Sequence, residues 1–348
     1  MVTVTSGAVT VRAYCRRRAR HPEVRQCFGG KNARASPLAS CRVVHRTKVV
    51  VTGATGFLGR NVVALLDPSV YEVHAITRRH EPAADEGVAV SWHQADVVVD
   101  PRLHGLLRDI RPEVLLHLAW LGGSGADRYA SAENDLWADA SLALIEEFGT
   151  AGGRRAVLAG SVVEWGSVAG TLREDTPAVP TSAYGSAKLA LANAALAHSA
   201  VKVAVGRVFF AYGPHEDPNR LVPAVVRALL RAEPIALSSG AQIRDFLHAQ
   251  DVANAFLGLL EVQTTGFVNI GSGIGISVRA VAGEIGRQLG REDLLQFGAR
   301  PDGPDQAPIW VADNTLLRCA TGWAPRFDLR TGLADCIQWW REHEPLGA

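Results

Sequence analysis

The chain has 348 residues, 47% of them hydrophobic and 20% charged, with a formal net charge of +1. That balance suits a soluble globular enzyme and gives no global reason for a nucleic-acid or membrane partner, and no apolar run reaches the ~20 residues of a spanning helix. Cys15, Cys27, Cys41, Cys319 and Cys336 show no metal-ligand spacing and are too few for a disulfide scaffold, so no metal is expected and a reducing, cytoplasmic setting is the default.

Residues 1–46 hold ten Arg or Lys against one acid, Glu23, with no sustained apolar periodicity and no apolar centre of a secretory signal. They are set apart as a basic N-terminal extension, disordered or an over-long start, with an organelle transit segment as the alternative. From Thr47, short apolar strands alternate with helical stretches: "KVVVT", a helix from about Gly56, "EVHAIT", "AVSW", "VLLHLA", a helix over about 131–149, "RAVLAG", a helix over about 182–199, and "KVAVGRVFF". This alternation predicts an α/β fold with a doubly wound parallel Rossmann sheet, covered by helices on both faces. Beyond Tyr212 the chain is richer in Pro and Gly, with helical patterns over about 221–232 and 277–289 and a late strand, "GFVNIG". The expected organisation is a Rossmann domain over 47–212 plus about 243–272, and a smaller C-terminal substrate-binding lobe over about 213–242 plus 273–348.

Gly53, Gly56 and Gly59 form a G-x-x-G-x-x-G pattern where the first strand ends and a helix begins. A turn that tight needs positive φ, and a pyrophosphate needs backbone with no Cβ in the way, beside the unpaired N–H groups of a helix start. The pattern predicts dinucleotide binding. The second strand ends in Thr77, Arg78 and Arg79 rather than in an acid. Arginine there accommodates a 2′-phosphate, which favours NADP(H) over NAD(H); solvated loop arginines in an Arg-biased chain are the alternative.

Further along, Tyr184 and Lys188 stand four residues apart at the start of a helical run, and Lys188 is one of only four lysines, with Lys31, Lys48 and Lys202. The spacing puts both on one helix face, where an ammonium can steady a phenolate and let the tyrosine act as acid or base; a surface Tyr with a solvated Lys is the alternative. Ser161 closes the strand "AVLAGS", placed to hydrogen-bond a substrate carbonyl, although a serine there often only forms a turn.

Together, "TGATGFLG", "QADV", "LLHLAW", Asn134, "GSVVEWG", "YGSAK", "GRVFFAYGP", "IRDFLHAQDVA" and "VNIGSG" stand in an order that resembles the extended short-chain dehydrogenases/reductases acting on nucleotide sugars, from residue 47 to about 341. The resemblance implies that Asp96 and Val97 border the adenine, and Leu118, Ala119 and Asn134 the inner part of the cofactor; Thr55, Phe57, Leu58 and Trp120 also fall on cofactor positions. It makes Ser161, Tyr184 and Lys188 the catalytic set. Arg244 would bind a substrate phosphate, a role suited to a guanidinium's paired donors, with an ion pair to Asp245 as the alternative. Ser161, Val162, Val163, Phe210, His215, Arg220, Leu221 and Arg300 complete the implied substrate contacts. Family members commonly dimerise through the two long helices, so a homodimer is expected.

Departures from the family pattern narrow the reaction. Related 4,6-dehydratases carry an Asp-Glu pair directly after the catalytic Ser or Thr, because eliminating water needs an additional acid and base; here stand Val162 and Val163. The Glu of the decarboxylases and the Cys of the fucose-type epimerase-reductases are likewise missing from these two positions. Glu164 is displaced and is assigned no chemistry. His215 matches a histidine of the epimerase-reductases without its cysteine partner, and is either a substrate contact or a loop residue. Phe210 replaces the family's substrate-binding Asn, which throws the diphosphate grip onto Arg220 or Arg300. His117, on an apolar strand, is expected to be structural. The expectation is NADPH-dependent reduction at C4 of a nucleotide-diphosphate, dTDP-linked, 4-keto-6-deoxyhexose in deoxysugar and antibiotic biosynthesis. The alternative is a nucleotide-sugar 4-epimerase, and a remote one a non-catalytic NADP-binding sensor or scaffold.

Overall fold

The computed structural model describes residues 46–78, 89–122, 129–303 and 307–344. The expected extension, apart from Arg46, lies outside the described residues, and so does Arg79.

Seven strands, most of them rich in Val, Ile, Leu and Ala, form one parallel sheet: β1 (Thr47–Thr52), β2 (Tyr71–Thr77), β3 (Val90–Gln94), β4 (Val114–His117), β5 (Arg155–Ser161), β7 (Lys202–Val208) and β11 (Gly266–Ile270). Their order is β11-β7-β5-β4-β1-β2-β3, so the winding reverses between β1 and β4. At such a switch point the crossover helices diverge to opposite faces and leave a crevice at the strands' carboxyl ends. The predicted doubly wound sheet is what forms.

Successive residues of β1 point to opposite faces, and both faces are buried. Val49 and Val51 enter a core with Phe256 and Leu259 of α6 (Ala249–Glu261), a helix that also packs on α1 (Phe57–Val63). Val50 enters the other core with Leu107 of α2 (Arg102–Ile110), Ile145 and Phe148 of α3 (Glu133–Thr150) and Leu191 of α4 (Ala183–His198). Glu133 and Asp135 in the first turn of α3 complement its dipole, and Ser182 caps α4 by accepting from Gly185 N–H at 3.1 Å.

The remaining strands were not legible as short apolar runs. β6 (Gly170–Leu172), β8 (Phe210–Tyr212), β10 (Ile243–His248), β12 (Gly275–Ser277) and β14 (Ile309–Ala312) make a second sheet, and β9 (Ile235–Leu237) pairs with β13 (Leu295–Phe297). Helices α5 (Leu221–Leu230), α7 (Val278–Leu289) and α9 (Leu329–His343) enclose a third core around Val225, Ile285 and Leu333, and α8 (Thr315–Thr321) closes the back of α6. α5 stops short of the expected 232 because the chain turns left-handed at Ala232, φ 60°. No described helix is long and apolar enough to cross a membrane.

Candidate active site

The chain leaves β1 at Thr52 and turns at Gly53 with φ 70°. A Cβ there would lie 2.6 Å from the backbone nitrogen of Ala119, and one on Gly59 would strike the Gly53 carbonyl oxygen. Gly56 N–H donates to that oxygen at 2.9 Å, closing the turn. The loop therefore offers bare backbone to a cavity of about 250 Å³ whose walls include Gly53, Thr55, Gly56, Arg78, Val97, Leu118, Ala119 and Trp120. Phe57, Leu58 and Gly59 form the first turn of α1 behind it. Gly59→Ala is expected to cost about 1–3 kcal/mol through overpacking and to weaken cofactor binding, read as a lower urea midpoint and a larger Kd by calorimetry.

A directed hydrogen-bond chain holds this mouth in shape. Ala119 N–H donates to Thr52 Oγ1 (3.3 Å), and the Thr52 hydroxyl meets His117 Nδ1 (2.7 Å). His117 Nε2 meets Ser141 Oγ (2.9 Å), whose own proton goes to the Trp137 carbonyl (2.6 Å). The Ser141 proton being committed, His117 donates from Nε2 and accepts at Nδ1. Burial, with Lys188 adding to it, pushes His117 down to about 3, so it is neutral. His117 is structural, as expected, and joins the glycine loop to α3.

Asp96 accepts from Val98 N–H at 2.8 Å, and Arg78 lies 4.0 Å from its other oxygen and 5.8 Å from the Trp137 ring centre. Asn134 is fully buried, and its side-chain oxygen accepts from Trp120 Nε1 at 2.9 Å.

Ser161 ends β5 and caps the 3₁₀ turn Val162–Trp165, its Oγ accepting from Val163 N–H at 3.3 Å. Its own N–H donates to Glu164 at 2.7 Å, and the second Glu164 oxygen takes Arg207 Nε at 2.7 Å. Arg207 lies between the rings of Trp165 (4.4 Å) and Phe267 (3.6 Å). Burial pushes the Glu164 carboxyl up, while Arg207 and the Ser161 N–H pull it back. A Cβ on Gly185 would stand 2.7 Å from the Val163 carbonyl oxygen, so α4 presses on this turn and brings Tyr184 beside Ser161's segment. Tyr184 and Lys188 share one face of α4, 7% and 4% exposed. Lys188 Nζ donates to the Ala159 carbonyl at 2.9 Å and lies 3.7 Å from the Trp120 ring centre.

Tyr129, edge-on to Tyr184 at 5.4 Å, leads into a second cavity of about 440 Å³ with Phe210, Glu216, Arg220, Leu221 and Arg244 on its walls. Arg244 is 2% exposed; its Nη1 donates to the carbonyls of Ile243 (2.9 Å) and Pro308 (3.4 Å), and its plane faces Trp310 (4.8 Å) and Phe210 (5.4 Å). Burial pulls Arg244 down to about 10, still charged at neutral pH. Asp245 instead accepts from the backbone N–H groups of Ser272, Gly273 and Ala312 and from the Ser272 hydroxyl. Arg220 loses from burial but gains from Tyr129, Glu216 and Tyr184, and ends above its ordinary value.

Arg300 is exposed, its backbone N–H donating to Leu237, and does not line this cavity. His215 sits at φ 68° with its ring 4.9 Å from Trp339 and is also off the walls. Val162 is buried in a small core with Trp165 and Phe209, and Val163 packs against the same core.

Sequence reasoning missed Tyr129 and Glu216. Nothing in "DRYASAEN" marks Tyr129; the run "HED" after "YGP" was the only trace of Glu216. Burial pushes Glu216 up to about 8 despite Arg220, 3.8 Å away. The carboxyl is thus largely uncharged at pH 7 and sets little negative charge against the cavity's arginines. A folded value near 8 above an ordinary 4.5 means stability that is complete below pH 4.5 and lost as pH rises to 8. Glu216→Gln is expected to remove that loss, so its stability relative to the native chain should rise by at most about 1.4 kcal/mol per pH unit across the window, in urea titrations at pH 5, 6.5 and 8.

The sequence pattern of the NAD dependent epimerase/dehydratase family matches residues 49–271. A UDP-glucose 4-epimerase of Azospirillum brasilense is 28% identical over 335 residues, 85% of this chain and 93% of its own. A dTDP-4-dehydro-6-deoxy-D-allose reductase of Streptomyces bikiniensis is 26% identical over 322 residues, 85% and 96% of the two chains. The solved structure of MoeE5 in complex with UDP-glucuronic acid and NAD aligns with a TM-score of 0.75 at 30% identity, over 85% of this chain and 99% of that one.

Proposed function

The chain belongs to the NAD dependent epimerase/dehydratase family and is an enzyme of its nucleotide-sugar group, and from that premise we propose that it is an NADPH-dependent reductase acting at C4 of a dTDP-linked 4-keto-6-deoxyhexose in deoxysugar biosynthesis. The observation that carries the proposal is the pair Val162 and Val163 beside an intact Ser161, Tyr184 and Lys188, with the nearby acid Glu164 held by Arg207 at 2.7 Å and by Ser161 N–H. Elimination needs a further acid and base, and this arrangement supplies neither at those positions.

The glycine cradle, which a single Cβ would fill, suits the pyrophosphate of a dinucleotide. Gly53, Thr55, Gly56, Leu118 and Ala119 would hold it, Asp96 and Val97 would border the adenine, and half-exposed Arg78 at the mouth would meet a 2′-phosphate. When bound, the reduced nicotinamide supplies a hydride to the ketone carbon. Tyr184 gives its proton to the developing alkoxide, and the Ser161 hydroxyl donates a hydrogen bond to the same oxygen. The Lys188 ammonium favours the phenolate that remains. Arg220 and Arg244, with the Glu216 carboxyl largely uncharged at pH 7, would receive the diphosphate. α3 and α4 would form the contact of a homodimer.

The test is NADPH consumption with a dTDP-4-keto-6-deoxyhexose, repeated with NADH. Substrate-dependent oxidation, faster with NADPH, is the expected result. The 4-epimerase is the second reading, favoured by the UDP-glucose 4-epimerase of Azospirillum brasilense, 28% identical, and by the NAD, rather than NADP, with which MoeE5 was solved. Cofactor that survives purification, no net oxidation and an inverted sugar product would decide for it.

A further inference from the structure

Trp120 stands where three elements of the site converge. It follows β4 directly beyond Leu118 and Ala119, and its indole is almost wholly buried. Its N–H is fixed by Asn134 of α3 at 2.9 Å. One face of the ring carries the Lys188 ammonium at 3.7 Å, and the ring meets Tyr184 nearly perpendicular, 82° at 6.3 Å. Trp137, 6.1 Å away, backs it. An ammonium that is 4% exposed has given up most of its water. The Ala159 carbonyl meets part of that demand, and the negative face of an indole, the strongest cation–π partner among side chains, meets more of it.

We propose that Trp120 is a positioning residue of the catalytic pair: its indole face holds the Lys188 ammonium in place beside Tyr184, and thereby sets the charge that acts on the phenol. The inference rests on Tyr184 and Lys188 being the proton donor and its tuning cation, as proposed above. Other charged and titratable groups stand near the pair among the described residues. His117, behind Lys188, is neutral; Glu164 is paired with Arg207 at 2.7 Å; Tyr129 and Arg220 face Tyr184 from the substrate side.

A substitution that removes the π face loosens the ammonium and disfavours its charge. Both effects make the phenolate harder to form, so the Tyr184 ionisation moves to higher pH. The readout is tyrosinate absorbance against pH, taken as the difference between each background and the same background carrying Tyr184→Phe, which subtracts the other four tyrosines. This needs no substrate. In Trp120→Leu the Tyr184 midpoint is expected about one pH unit above that of the native chain, the size of a desolvated cation–π contact. Trp120→Phe keeps a π face and is expected to recover most of the shift. A Trp120→Leu midpoint equal to the native one would overturn the proposal, since a merely structural indole would change stability and leave the ionisation alone. Should Trp120→Leu fail to fold, Trp120→Met fills the volume without a π face and gives the same comparison. Failure of the reductase reading shows up elsewhere, as no NADPH consumption by the native chain, and leaves this titration standing.

Discussion

Tyr184→Phe is expected to lower the turnover number by about 10²–10⁴-fold, the usual size of a positioned general acid, while cofactor affinity stays close to native. The substitution removes one oxygen and keeps the ring. That ring is what α4 packs with, edge-on to Trp120 at 6.3 Å and to Tyr129 at 5.4 Å, so the fold should survive. On the proposed mechanism, the alkoxide left by hydride addition would then have only the Ser161 hydroxyl to lean on. Steady-state rates at saturating substrate and cofactor, beside a calorimetric Kd for NADPH, make the measurement. A loss that appears in KM alone would mean that Tyr184 binds rather than transfers a proton.

The second large effect is on stability. Glu164→Ala is expected to destabilise the protein by about 3–5 kcal/mol, because it leaves Arg207 as a buried, uncompensated charge. Both side chains are almost completely buried, and their 2.7 Å contact lies between β5 and β7 at the foot of the catalytic turn. Replacing both with apolar residues, Glu164→Met with Arg207→Met, should recover most of the loss, since the desolvation of the pair disappears with it. Urea unfolding of the two single variants and the double gives the coupling directly. On the mechanism proposed above the single variant should also slow turnover, because Glu164 accepts from Ser161 N–H at 2.7 Å and would hold that residue in place. Equal stability of Glu164→Ala and the native chain would show that Arg207 finds water or another partner.

Much of this site was visible in one dimension, for a physical reason in each case. Gly53 and Gly59 stand out because no residue with a Cβ fits where they sit. Tyr184 and Lys188 stand out because an i,i+4 spacing on an Ala-rich helix leaves their common face in no doubt. The parallel sheet is legible from continuous Val, Ile and Leu runs, because strands covered on both faces need them.

The substrate side was far less legible. β6, β8, β9, β12 and β13 are three residues each, too short for a period to show, and they pair with partners far off in sequence. Arg244 could be assigned to an anion or to Asp245 from the sequence, and only the fold brings the backbone of Ser272, Gly273 and Ala312 to converge on Asp245. Arg220 and Arg300 were equal candidates; folding brings the first to the cavity wall and leaves the second exposed beyond it.

What the sequence by itself determined is the family and the sheet, with the glycine loop and Ser161, Tyr184 and Lys188 marked as candidates, because these depend on local spacing and on residues whose sterics or chemistry admit few substitutes. What only the tertiary structure decided is the electrical character of the pocket. Glu216 becomes a neutral acid, His117 a neutral link, Glu164 a buried partner of Arg207, and Trp120 a seat for Lys188. The charge of a buried group depends on the water it loses and the neighbours it gains, and both are set by segments that the chain keeps far apart until it folds.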